Sequence, residues 1–204
     1  KSRSFLNAWP AFDIILKLNM TKIITLLLST LLLCCSSPKK TTQTISKNTK
    51  FMQDDLDVKL WQEKFENRDR DVYVNRMKIV KALKIKNTDK IADIGAGTGF
   101  FLAPIHDYLG EFGTLWAVDI SPAFIEFIKA RGAKENLDKL KVLLGDENSS
   151  RLPTASLDKV LLVNTYHHFD RPDVMLTDIK RILKVGGELI IIDFDTKFGK
   201  KNPW

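Results

Sequence analysis

Beyond residue 50 the spacing of apolar positions changes period several times. Leu56, Leu60, Trp61 and Phe65 recur at helical spacing, and Val72, Arg76, Ile79, Val80 and Leu83 sketch one face of a second helix before the polar "KNTDK" turn. Five short runs that are apolar nearly throughout follow: residues 91–94, "GTLWAVDI", "KVLLGD", "DKVLLVNT" and "ELIIIDF". Helix-length segments separate most of them. One runs to about Leu109, one covers 122–131 with Ser121 as N-cap and Pro122 at the first helical position, and one covers 171–183 before a "KVGG" turn. A strand wet on one face would alternate apolar and polar residues. Strands apolar throughout are covered on both faces, and with helices between them they predict an α/β fold, a doubly wound parallel sheet. Such sheets take ligands beyond the carboxyl ends of their strands.

The chemistry-bearing residues fall at those ends. After the first strand the chain reads "IADIGAGTGFFLAP", in which Gly95, Gly97 and Gly99 leave a backbone bare enough for N–H groups to approach a ligand. The dinucleotide fingerprint G-x-G-x-x-G is not met, because Phe100 stands where its third glycine belongs, which disfavours a nicotinamide-dependent oxidoreductase. Asp93 sits near the end of the first strand, Asp119 ends the second, Asp146 the third and Asn164 the fourth. An acid about twenty residues past such a loop is placed to take both hydroxyls of a ribose. A single polar residue in a turn is unremarkable, but four on one sheet edge make a crevice.

Taken together, "ADIGAGTGFF", "WAVDISPAFIEFI", "LLGDENSSRLP" and "VLLVNTYHHFDRPDVMLTDIKRILKVGGELIIID" resemble the class I S-adenosylmethionine-dependent methyltransferases. The resemblance runs from about Lys59 to Phe194 and keeps motif order through five strands. It implies a Rossmann-like sheet, S-adenosyl-L-methionine as cofactor, and a methyl acceptor, here expected to be a small molecule. It implies that Gly95, Ala96, Gly97 and Gly99 with Asp93 cradle the methionine part of the cofactor. It further implies that Asp119 binds the ribose hydroxyls, that Ile120 packs on the adenine, and that Asp146 or Glu147 faces the adenine amino group. Residues 164–168 fall where members of the family place groups near the transferred methyl, so His167 or His168 is a candidate base and Asn164 a candidate contact. Methyl transfer is an in-line displacement that asks for alignment and exclusion of water, so neither metal nor nucleophile is expected. The family's closing antiparallel hairpin has no counterpart in the ten residues after Phe194, so the sheet reads as truncated after its fifth strand: either the sequence is a fragment, the favoured reading, or the sheet is incomplete, which would leave that strand as a bare edge.

Charge and cysteine usage alter this picture only at the N-terminus. Residues 1–50 hold eight Lys or Arg against one acid, Asp13, which accounts for the whole formal charge of +7. The remainder is neutral, so it carries no basic footprint for nucleic acid. From Met20 the chain reads "MTKIITLLLSTLLLCCSSPKK", whose apolar run over 23–33 is too short to span a bilayer and suits a secretory signal. The adjacent Cys34 and Cys35 give it the look of a bacterial lipoprotein leader, although the small residue usual before the cysteine is Leu33 or Cys34. The alternative is an unprocessed hydrophobic leader on a cytoplasmic protein. Residues 1–19 precede the first Met and read as upstream sequence or a wrongly chosen start, and 38–50 as a disordered tether. The expected organisation is therefore leader and tether over 1–50 and a methyltransferase domain over 51–204. Export would separate the domain from its cofactor, so an inactive cofactor-binding module is the third function class beside the two enzymes.

Overall fold

The apolar runs pair as one sheet. The computed structural model describes residues 46–193 and, by backbone alone, residues 15–19; the predicted leader and most of the tether, and the segment after Asp193, lie outside the described residues. In chain order the elements are β1 (Ile15–Asn19), α1 (Val58–Phe65), α2 (Asp71–Val74), α3 (Arg76–Ala82), β2 (Lys90–Ile94), α4 (Leu102–His106), β3 (Thr114–Asp119), α5 (Pro122–Lys134), β4 (Leu140–Leu144), β5 (Leu157–Val163), α6 (Pro172–Ile182) and β6 (Leu183–Ile192). The sheet order is β1-β6-β5-β2-β3-β4, parallel from β6 through β4. The five expected strands are all present.

Strand parity explains the double cover. Ile91, Leu161 and Ile190 point to one face, where Ile79, Val80, Ile105 and Ile128 of α3, α4 and α5 bury them. Their neighbours Ala92, Val160, Leu162, Leu189 and Ile191 point to the other, against Met175, Ile179 and Ile182 of α6. Each full burial of such a side chain contributes about 1.5–3 kcal/mol. Ser121 and Pro122 open α5 as expected, the Ser121 side chain accepting from the Phe124 N–H. After His106 the chain continues in turns to Leu109.

Three features depart from expectation. β6 starts at Leu183, before the glycine pair: Leu157 pairs with Leu183 and Lys159 with Glu188, so the segment between bulges out at Gly186, φ +82°, leaving Val185 96% exposed. The edge that an incomplete sheet would leave bare is covered. Ile15 to Asn19 run antiparallel along β6 from Ile192 to Glu188, which satisfies a row of backbone groups that would otherwise invite foreign strands. Residues placed upstream of the first Met thus belong to the sheet. Finally, the end of the expected tether packs on the domain: Asn48 is 8% exposed, and its amide donates to the His168 carbonyl at 3.1 Å. Residues 46–50, read as the end of a tether, thus lie against the domain in this structure.

Candidate functional site

Sheet order reverses between β2 and β5, and the crevice that opens at their carboxyl ends contains a cavity of about 170 Å³. The glycine loop forms its floor. Gly95 and Ala96 donate their N–H groups to the Val118 carbonyl at 2.8 and 3.1 Å, which hangs the loop from β3. All three glycines have positive φ, +74°, +54° and +77° in turn, where L side chains are strained. Their surroundings differ. A Cβ on Gly95 would collide with the Thr165 side chain, one on Gly97 would stand 3.2 Å from Cε2 of Phe65, and one on Gly99 would lie 2.7 Å from Cδ1 of Leu102. Gly95, Ala96 and Gly97 line the cavity, whereas Gly99 is turned into the core.

Two carboxylates are buried beside the loop. Asp119 accepts from the N–H of Gly97 at 2.8 Å and from that of Ser121 at 2.9 Å. Burial raises its pKa, against the opposing pull of these backbone bonds. Asp93, 3% exposed, is pushed up to about 7, first by burial and then by the charge of Asp119. Each raised value means that a cation in the cavity would be welcomed by carboxylates short of positive partners. Ile120, Asp146, Glu147 and Asn164 complete the expected wall. Asp146 binds the Asn148 N–H at 2.9 Å and Arg151 at 3.2 Å within its own loop, while Glu147 receives the hydroxyl of Ser46 from the N-terminal segment.

The two histidines part company. His168 lines the cavity, its ring 5.6 Å from that of Phe51. Burial, then the charges of His167, Lys50 and Lys47, outweigh Asp193 and lower its pKa to about 4, so its imidazole is neutral near pH 7. His167 is not on the cavity wall. Its Nδ1 sits 2.7 Å from Asp193 and its backbone N–H donates to the same carboxylate at 3.1 Å, which anchors the loop to the end of β6.

Nothing in the glycine motif announces the residues that cover the cavity. Phe51, Phe65 and Phe124 close over it as an aromatic cluster with ring centroids 5.9–6.4 Å apart. The cover is tied down at the end of α1, where Glu66 meets Arg131 of α5 at 2.5 Å and the Thr98 hydroxyl of the loop at 2.9 Å. These contacts join segments more than thirty residues apart, and local spacing holds no trace of them.

Residues 92–191 match a protein family described as a methyltransferase domain. Over these residues the chain is of the S-adenosylmethionine-dependent methyltransferase type. A protein-L-isoaspartate O-methyltransferase of Ignicoccus hospitalis is 26% identical to it over 113 residues, 55% of this chain and 51% of that protein. A ubiquinone/menaquinone biosynthesis C-methyltransferase of Chromobacterium violaceum is 26% identical over 120 residues, 59% of this chain and 49% of that protein. The chain thus spans about half the length of the curated relatives it matches. Among solved structures, a SAM-dependent methyltransferase from Aquifex aeolicus superposes with a TM-score of 0.62 at 26% identity, covering 69% of this chain and 76% of that one. The cofactor of the methyltransferase domain is S-adenosyl-L-methionine. The residues present fit it: a left-handed glycine floor that a Cβ would obstruct, and two buried carboxylates facing a space that suits a cation. Among the described residues no cluster of His, Cys, Asp or Glu could hold a metal.

Proposed function

We propose that the whole protein methylates a small-molecule acceptor at this cavity. The observation that carries the reading is convergence: Asp93, Gly95, Gly97, Asp119, Asp146, Glu147 and Asn164, drawn from four strand ends, all border one crevice at the sheet's switch point. In this reading Gly95, Ala96 and Gly97 admit the methionine part of the cofactor, with Gly99 shaping the turn from the core side. Asp119 takes the ribose hydroxyls, Ile120 packs on the adenine, and Asp146 or Glu147 faces its amino group. Bound there, the cofactor supplies a methyl group on a positively charged sulfur. Asp93 and Asp119 favour that charge, and the aromatic cover of Phe51, Phe65 and Phe124 keeps water out, which strengthens the attraction. His168 presents an uncharged imidazole that can accept a hydrogen bond from an acceptor O–H or N–H. Its lowered pKa makes it a weak base, better suited to orienting the acceptor than to removing its proton. His167, held by Asp193, supports the loop.

The acceptor is read as small because the cavity is narrow and covered, and as something other than nucleic acid because residues 51–204 are electrically neutral. The leader reading is part of the proposal: the run over 23–33 and the pair Cys34 and Cys35 direct the chain to a membrane as a lipoprotein, the alternative being a cytoplasmic enzyme. Calorimetry with S-adenosylhomocysteine and with NAD tests the core of the reading. Binding of the first in clear preference is expected; preference for NAD, or binding of neither, would overturn it.

A further inference from the structure

The segment after β4, residues 145–152, walls the cavity with Gly145, Asp146, Glu147, Ser149 and Ser150, yet what shapes it lies behind it on α6. Asp178 is buried there, 8% exposed, with its carboxylate turned to the segment. Oδ2 accepts the Ser150 N–H at 2.8 Å and the Ser150 hydroxyl at 2.6 Å. Oδ1 accepts the Ser149 hydroxyl at 3.3 Å and two guanidinium donors of Arg181, Nε at 3.1 Å and Nη2 at 2.6 Å. Arg181 in turn donates to the Leu152 carbonyl at 2.9 Å and the Thr154 hydroxyl at 3.0 Å. At its other end the segment hangs from β3, where the Gly145 N–H donates to the Asp119 carbonyl at 2.9 Å. Asp146, Glu147 and Asn148 stand between these anchors, in a turn closed by the Asp146 N–H on the Ser149 carbonyl at 2.9 Å.

We propose that Asp178 is a positioning residue for nucleobase recognition: by holding Ser149 and Ser150 it sets the turn of Asp146 and Glu147 where a carboxylate meets the exocyclic amino group of the cofactor's adenine. The inference rests on the cofactor reading above. It does not depend on which of the two acids makes the contact, since both lie on the turn. Burial would raise the pKa of Asp178, but the donors of Ser150 and Arg181 outweigh it and hold the carboxyl below its ordinary value, so it is ionised near pH 7. An ionised carboxylate offers two acceptor oxygens, and here both are taken by donors. An amide in its place would turn an NH2 toward either the Ser150 donors or the Arg181 donors, so Asp178→Asn cannot keep both sets. Because the turn is short and pinned on both sides, a shift at Ser150 reaches Glu147 with little slack, and a hydrogen bond to a base edge weakens steeply when misaligned.

The test uses two ligands that differ at the nucleobase. S-adenosylhomocysteine carries the exocyclic amino group; S-inosylhomocysteine is its deaminated counterpart, with a carbonyl oxygen in that place. In calorimetry on the full chain, the wild type should prefer S-adenosylhomocysteine by roughly tenfold or more, and Asp178→Asn should remove most of that preference by weakening S-adenosylhomocysteine alone. Ser150→Ala, which removes the hydroxyl and keeps the backbone bond, should lower the preference about two- to fivefold, and it decides the matter if Asp178→Asn does not fold. Equal weakening of both ligands would show that Asp178 serves the fold alone. An unchanged preference in the folded variant, or a wild type that binds both ligands equally, would show that the turn does not read the nucleobase through Asp178. Each of these results overturns the assignment. If the wild-type protein binds neither ligand, the cofactor reading itself fails and this assignment falls with it.

Discussion

The N–H of Gly97 donates to Oδ2 of Asp119 at 2.8 Å, bridging 22 residues of sequence, while Oδ1 of the same carboxylate takes the Ser121 N–H at the start of α5. One buried side chain thus fixes the loop that floors the cavity and the helix that begins beside it. Asp119→Ala should weaken S-adenosylhomocysteine roughly ten- to a hundredfold, since two hydroxyls lose a charged acceptor. It should also lower stability by about 1–3 kcal/mol, because two buried N–H groups are left unpaired. Calorimetry and denaturant unfolding separate the two effects, and undiminished affinity would remove Asp119 from the site.

The loop glycines should fail differently. Gly95→Ala drives a methyl into Thr165 at φ +74°, so it should destabilise the fold by a few kcal/mol. Gly97→Val has the soft edge of Phe65 to push against, and the core behind it is untouched. It should leave a folded protein, shown by a cooperative melt, that binds the cofactor at least tenfold more weakly. A Gly97→Val protein with normal affinity would reduce the loop to a turn.

Asp93 makes stability depend on pH in an unusual sense for a carboxyl. Its folded value near 7 lies above the ordinary 3.8, so between these values the folded protein holds a proton that the unfolded chain has released. Stability should fall as pH rises from about 4 to about 7 and level off above, by at most roughly 4 kcal/mol. Asp93→Asn should flatten that slope in melts between pH 5 and pH 8, and the wild type should release a proton on cofactor binding at pH 6. Identical slopes in both proteins would refute the burial argument.

His168 carries the opposite sign. Its folded value near 4 lies below the ordinary 6.5, so the stability it withholds from the charged form is lost as pH falls from about 6.5 to about 4. NMR titration should show one imidazole with a midpoint near 4, missing in His168→Gln. A midpoint above 7 would leave His168 largely protonated at neutral pH, unable to accept a hydrogen bond from the acceptor.

For the leader, the chain expressed from Met20, which leaves out β1, should fractionate with membranes, and its Cys34→Ser, Cys35→Ser double variant should lose lipid labelling and move to the soluble fraction. The neutral domain beyond residue 50 offers no second basic signal to hold it there. A wild-type protein already soluble in the cytoplasm would overturn the lipoprotein reading.

Period and punctuation were enough to place β2 to β6, the capped start of α5 and the glycine loop, because each rests on interactions within a few residues: an apolar run buried on both faces, a Ser-Pro cap, a left-handed turn that tolerates glycine. They also located Asp93, Asp119, Asp146 and Asn164 at strand ends, since parallel strands separated by helices bring their carboxyl ends to one edge. Tertiary structure decided the rest. Which histidine lines the cavity depends on Asp193 drawing His167 aside, and the cover formed by Phe51, Phe65 and Phe124 joins segments far apart in the chain. Likewise Ile15 to Asn19 pair along β6, and Phe65 offers its carbonyl to Arg70 at the cavity, contacts that local spacing does not record. Local spacing records how a residue meets its near neighbours. It holds no register between distant segments, which is set when the apolar faces pack and the buried polar groups find partners.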